Sequence, residues 1–193
     1  MDGNTPKDDI RTLNDEQLSA WVVAHFEKAF RAKQISEWLW KKNVAAFDDM
    51  INIPLPLRQV LKENFSLQKI SIDERQQSSD GSLKYALKLA DAQVIEMVLI
   101  PSKNRTTICV SSQVGCGLGC RFCATAKLGF TRNLLAYEMY EQVFIANEES
   151  KQLFGHPLTN IVWMGMGEPL LNYENVIQAI NYITSAKGLA MSK

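Results

Sequence analysis

Apolar positions along the chain recur at two spacings, and the change from one to the other divides it. From Asn14 to Phe65 the spacing is helical. Asn14 offers a side-chain cap, with Gln17 three residues on to complete a capping box, and Leu18, Trp21, Val22, His25 and Ala29 then define one face. Ile35, Trp38 and Leu39 predict a second helix over about 32–42. Asn52-Ile-Pro-Leu-Pro56 interrupts the pattern, and Pro56 suits the first turn of a third helix presenting Leu57, Val60, Leu61 and Phe65. After Ser66 the period becomes two. Stretches 69–76, 82–89 and 93–100 read as a three-stranded meander with Ser-Ser-Asp-Gly and Ala-Asp-Ala turns, and 106–111 as a fourth strand. Helical spacing returns with Leu135, Met139, Val143 and Ala146. A short apolar strand, Ile161 to Met164, meets Gly165-Met-Gly-Glu-Pro169, and Asn172 is placed to cap a last helix carrying Val176, Ile180 and Ile183. Residues 1 to about 12 carry no pattern and read as a disordered lead-in.

These elements predict an α/β fold in three parts. A helical accessory domain spans 1–66, a β-meander 67–101, and the start of a parallel (β/α) barrel 102–193. Barrels of this kind place their chemistry at the carboxyl ends of the strands, where the Gly-Met-Gly-Glu turn falls. No third barrel strand is present, so the barrel is expected to be truncated.

Composition changes this picture little. Hydrophobic content of 46% and charged content of 22% are ordinary for a soluble globular protein. No apolar run approaches the ~20 residues of a membrane span, and the polar, acidic first residues do not form a signal peptide. Four clustered cysteines without export fit a reducing compartment, so a cytoplasmic location is expected. The formal charge is zero, but its distribution is uneven. Between Glu96 and Glu138 there is no acid, while Lys103, Arg105, Arg121, Lys127 and Arg132 all fall there. Such a run either attracts a polyanion or a carboxylate ligand, or is merely solvated surface.

The cysteines carry the chemistry. Cys116-Gly-Leu-Gly-Cys120-Arg-Phe-Cys123 sets three thiols within eight residues, close enough for one loop to wrap one metal centre. Structural zinc asks for four protein ligands, usually as two separated pairs. Three thiolates on a 4Fe–4S cluster instead leave one iron open to a small molecule. Gly115, Gly117 and Gly119 give the loop room to tighten, and Phe122 is placed to shield the site from water. The alternatives are buried structural cysteines, disulfides, or a zinc knuckle completed by Cys109 or a histidine. His25 and His156 lie far off, and His25 belongs to an apolar stripe. Glu96, in the apolar third strand, is either turned to water or held buried with a raised pKa as a proton acceptor.

The spacing Cys-x3-Cys-x2-Cys, with an aromatic before the last cysteine, resembles the radical S-adenosylmethionine (SAM) signature. Cys109-Val-Ser-Ser-Gln-Val-Gly-Cys116, Gly129-Phe-Thr-Arg-Asn-Leu134 and Met164-Gly-Met-Gly-Glu-Pro-Leu-Leu-Asn172 narrow the resemblance to the RlmN-type RNA methyltransferases, over about the N-terminal half of such an enzyme. The resemblance implies methylation of adenosine C2 in ribosomal and transfer RNA, with a 4Fe–4S cluster on Cys116, Cys120 and Cys123, and SAM held at Gly167 and Glu168. It further implies Glu96 as proton acceptor, and Cys109 as the thiol that later forms a disulfide with a methyl-carrying C-terminal cysteine. An electron donor such as flavodoxin, an RNA-engaging role for the helical domain and the absence of any membrane partner follow from it too. No cysteine after Cys123 is available as the methyl carrier, so a truncated form is expected. The alternatives are the C8-directed branch of the family and a non-catalytic iron–sulfur or zinc RNA-binding module.

Overall fold

Asn14 and Gln17 close a reciprocal cap: each side chain accepts from the other's backbone N–H, at 2.8 and 2.9 Å. From this start the computed structural model, which describes residues 7–25 and 27–192, runs helix α1 over Asp15–Ala24. The helix is shorter than its apolar stripe. His25 terminates it, stacking on Trp21 at 4.0 Å with Nδ1 2.8 Å from the Trp21 carbonyl, so this histidine is packed as its place on the stripe implies. Helix α2 covers Phe30–Ser36 and continues as a π-helical turn over Glu37–Lys41. The widened turn has a packing reason. Trp38, Leu39 and Trp40 are all buried, and a regular α-helix cannot turn three successive residues to one side. Helix α3, Leu55–Asn64, carries Pro56 in its first turn and buries Leu57 and Leu61.

The lead-in is ordered where it is described. Asp9 and Arg11 form a buried ion pair at 2.8 Å, both side chains 1% exposed, and Asp9 also accepts from the Gln68 N–H at 2.6 Å. Asp9 bridges to Ser66, which ties the start of the described chain to the end of the helical region. Pattern alone gave no hint of this, because one buried salt bridge has no periodicity. The described residues to Gln68, with Ser185–Ala190, form one compact unit.

The second unit takes Lys69–Thr184 with Met191 and Ser192. Its sheet has the order β1 (Ser71–Gln77), β2 (Leu83–Lys88), β3 (Val94–Ser102), β4 (Arg105–Cys109) and then β7 (Asn160–Val162). The first four strands are antiparallel neighbours, and β4 pairs with β7 in parallel. The sheet crosses the 101/102 division without a break, since β3 pairs β4 from Val98↔Cys109 to Ser102↔Arg105.

Alternation decides the faces. Leu83, Tyr85, Leu87, Ile95, Met97, Leu99, Thr106 and Ile108 are buried on one side. Helix α4, Ala136–Phe154, packs there with Met139, Tyr140, Val143 and Ala146. Helix α5, Tyr173–Thr184, lies on α4 and buries Val176, Ala179 and Ile183. The opposite face carries Lys84, Glu96, Val98 and Cys109. Between β4 and α4 runs a short pair that the pattern did not predict, β5 (Gln113–Gly115) and β6 (Phe130–Asn133), with the cysteine loop between them. No helix among the described residues is long and apolar enough to cross a membrane.

Candidate active site

The strand β4 ends at Cys109, and the next four residues are fixed from several sides. The Ser111 N–H donates to Gln142 Oε1 at 2.9 Å, and its carbonyl accepts from Gln142 Nε2 at 3.0 Å. The Ser111 hydroxyl donates to the Glu96 carbonyl at 2.5 Å and accepts from the Met166 N–H at 2.8 Å. Ser112 donates to the Met166 carbonyl at 2.8 Å, and its own carbonyl accepts from Asn172 Nδ2 at 2.8 Å. Gln113 reaches the same turn: its Oε1 accepts from the Glu168 N–H at 3.0 Å, while Nε2 donates to Asn133 Oδ1 at 2.8 Å.

Two glycines are required here. Gly167 has φ +92° and lies so close to Gln113 that an added Cβ would sit 2.5 Å from the Gln113 Cβ. Gly115, φ +74°, leaves a Cβ only 1.8 Å from the Gly129 carbonyl oxygen, and the Cys116 N–H donates to that same oxygen at 2.9 Å. The neck of the cysteine loop is closed by this contact.

Within the loop, Cys116, Cys120 and Cys123 are free and half-buried. The backbone N–H of Ala126, then the hydroxyl and N–H of Thr125, lower the pKa of the Cys123 thiol. Such bonds favour thiolate, the form that binds metal. Three soft donors on one glycine-necked loop fit an iron–sulfur cluster chemically. Among the described residues, however, no three Cys, His, Asp or Glu side chains are gathered as a metal-holding group. Phe122 does not shield the site, being 95% exposed.

Cys109 is also free, and burial raises its thiol pKa against a smaller opposing effect of the Met164 backbone. It stands opposite Val98, so Glu96, two residues along β3, shares its face. Glu96 is not buried. Its side chain is 48% exposed and pairs with Lys84 at 2.6 Å, which settles its orientation towards water. Glu168 is half-buried, and its Oε1 accepts from the Leu170 N–H at 3.1 Å. Asn172 does not simply cap α5: its amide turns inward to the Ser112 and Leu134 carbonyls, while its Oδ1 accepts from Asn175 Nδ2.

The basic run is less uniform than its sequence implied. Arg132 is held by Asp91 at 2.7 Å and by both oxygens of Glu138 at 2.8 Å, and these carboxylates raise its pKa. Both acids lie just outside or at the end of the acid-free stretch, so their approach depends on folding. Lys103, Arg105, Arg121 and Lys127 stay exposed. The residues that sequence reasoning missed are Ser111, Gln113 and Gln142. Ser111 and Gln113 lie inside the stretch Cys109–Cys116, and their polar type in a buried strand end was the available signal. Gln142, on α4, offered only its place among apolar neighbours.

Comparison with known proteins agrees with the fold. Residues 9–67 match the family model described as the ribosomal RNA large subunit methyltransferase N-terminal domain. The chain is 56% identical over 186 residues to a "Probable dual-specificity RNA methyltransferase RlmN" of Christiangramia forsetii, an alignment covering 96% of this chain and 53% of that protein. It is 40% identical over 195 residues to the "Dual-specificity RNA methyltransferase RlmN" of Desulfotalea psychrophila, covering 98% and 54%. The solved radical SAM methyltransferase of Sphaerobacter thermophilus superposes with a TM-score of 0.82 at 36% identity, over 96% of this chain and 54% of that one. The chain thus spans about half the length of the curated relatives it matches. Its nearly full coverage by proteins of one name, together with the matching fold, makes the chain similar in sequence and fold to the N-terminal part of RlmN-type proteins.

Proposed function

We propose that the chain takes part in SAM-dependent radical methylation of RNA, directed to C2 of adenosine in ribosomal and transfer RNA. The observation that carries this reading is the bonding of the Gly-Met-Gly-Glu turn to the strand end leading into the three-cysteine loop. Cys116, Cys120 and Cys123 would hold a 4Fe–4S cluster, which when bound supplies a single electron and an open iron position for the amino-acid end of SAM. The other roles belong to the chain's own residues. Glu168 accepts from the SAM ammonium group, and Gly167 lets the turn take its left-handed course beside it, packed on Gln113. The Glu96 carboxylate, paired with Lys84 at 2.6 Å, accepts the proton leaving adenosine C2.

Cys109, held as a thiol by burial, is the partner of a methyl-carrying cysteine in product release. With these roles all four cysteines are assigned, so that second cysteine lies outside these 193 residues. Ribosomal RNA, transfer RNA and a one-electron donor such as flavodoxin are the partners, and the cytoplasm is the compartment. Anaerobic reconstitution tests the reading. It should give about four iron and four sulfide per chain. Loading should be lost in Cys116→Ala, Cys120→Ala and Cys123→Ala and kept in Cys109→Ala. Zinc bound through Cys109 would overturn it. The chain joined to the C-terminal half of such a relative should place methyl on C2 of adenosine, and product at C8 would refute the regiochemistry.

A further inference from the structure

Gln113 is 2% exposed, and a buried carboxamide is costly unless both its ends are bonded. Here both are, and to different elements. Oε1 takes the Glu168 N–H at 3.0 Å, and Nε2 gives to Asn133 Oδ1 on β6 at 2.8 Å. The Gln113 main-chain N–H adds a bond to the Met166 carbonyl at 3.2 Å. Its Cβ and Cγ occupy the space that any side chain on Gly167 would need. One residue therefore touches the turn at three successive positions, 166, 167 and 168, and stands three residues before Cys116.

We infer that Gln113 is a positioning residue, a spacer that sets the Glu168 backbone at a fixed distance from the cysteine loop. The inference rests on the radical SAM reading of Glu168. An apolar residue would fill the same volume, so burial alone does not call for an amide. What an apolar residue lacks is the acceptor for the Glu168 N–H. Because Glu168 is the first residue after the glycine turn, that one bond decides where its carboxylate starts from.

Three variants separate spacing from filling. Gln113→Met keeps the volume and removes both bonds. Gln113→Asn is one methylene too short to reach both partners. Gln113→Glu keeps the acceptor, and Asn133 can turn its amide to donate to the second oxygen. The first measurement is amide hydrogen exchange by NMR on the cofactor-free chain. Exchange at Glu168 should rise about tenfold in the Met and Asn variants, the worth of one hydrogen bond, and return in Gln113→Glu. Amides of β3 should not change. The second measurement is a SAM titration of the cluster-loaded chain, followed by the electron paramagnetic resonance spectrum of the reduced cluster. Iron and sulfide should be equal in all forms, while SAM affinity should fall about tenfold in the Met and Asn variants and recover in Gln113→Glu.

Wild-type exchange at Glu168 in Gln113→Met would overturn the inference, whatever SAM does. Equal SAM affinity in wild type and Gln113→Met would overturn it and leave the function standing. Absence of any SAM response in the wild type would defeat the functional reading, while the exchange data still decide the spacer. If Gln113→Met loosens β3 as well, recovery in Gln113→Glu supports the inference and failure to recover defeats it.

Discussion

Gly167 meets two demands at once, a left-handed backbone and the absence of a Cβ beside Gln113. Gly167→Ala should therefore cost about 1–3 kcal/mol in strain and crowding, read as a lower urea midpoint with an unchanged slope. Cys109 and Cys123 should part company in reactivity. Burial holds the Cys109 proton to higher pH, while Thr125 and Ala126 favour the Cys123 thiolate. In the cluster-free chain near pH 7.5, an ordinary working pH below the usual thiol range of about 8.5, iodoacetamide should modify Cys123 first. Cys109 should react appreciably only as the pH rises past that range, and mass spectrometry of timed digests gives the order. The three-cysteine loop and the Gly-Met-Gly-Glu turn were plain in the sequence, because a motif is local. Gln113 was not. It looks like any strand glutamine until the turn, more than fifty residues on, folds against it.

Among the elements, α4 carries the connection from sheet to site. Gln142 pairs with both the N–H and the carbonyl of Ser111. Gln142→Met keeps the packing but leaves two buried backbone groups without partners, at about 1–3 kcal/mol each. Thermal melts should show a loss several times that of Gln59→Met, a substitution on the exposed side of α3. At the other end of the site, β6 is tied to the β2–β3 turn by Arg132 and Asp91. The Arg132 hydrogen bond, ahead of the opposing effect of burial, lowers the Asp91 pKa in the folded state. Its contribution is therefore complete above the ordinary carboxylate range and fades as pH falls through the depressed folded value. The pair is partly exposed, so Asp91→Asn should cost only about 0.2–1 kcal/mol at neutral pH, and the gap to wild type should close in acid. Helical and strand periods revealed most elements. They gave neither the π-helical turn, where three consecutive side chains face inward, nor the β5–β6 pair, too short to show a period.

For the molecule as a whole, zero net charge means that any polyanion must be met by local patches. RNA binding should weaken steeply with added salt, and Arg105→Glu should weaken it alike on every sequence. Arg132→Glu is predicted to behave differently. Placed between Asp91 and Glu138, a carboxylate there meets two like charges, so the variant should lose stability before it loses affinity. Filter binding at several salt concentrations, with melts of each variant, tells the two apart. The acid-free stretch was plain in the sequence. Which of its cations folding would neutralise was not, since Asp91 reaches Arg132 across 41 residues.

The closed neck at Gly115 and Gly129 gives the cysteine loop the character of an interchangeable cassette. β5 and β6 meet beneath it, and the Cys116 N–H seals the join. Residues 117–128 can then be exchanged for a short hairpin turn while the sheet keeps its register, and loops of other lengths can be grafted at the same seam. A chain carrying such a graft should fold and melt as the parent does, with the proposed cluster ligands Cys120 and Cys123 removed by a cut that leaves the strands paired.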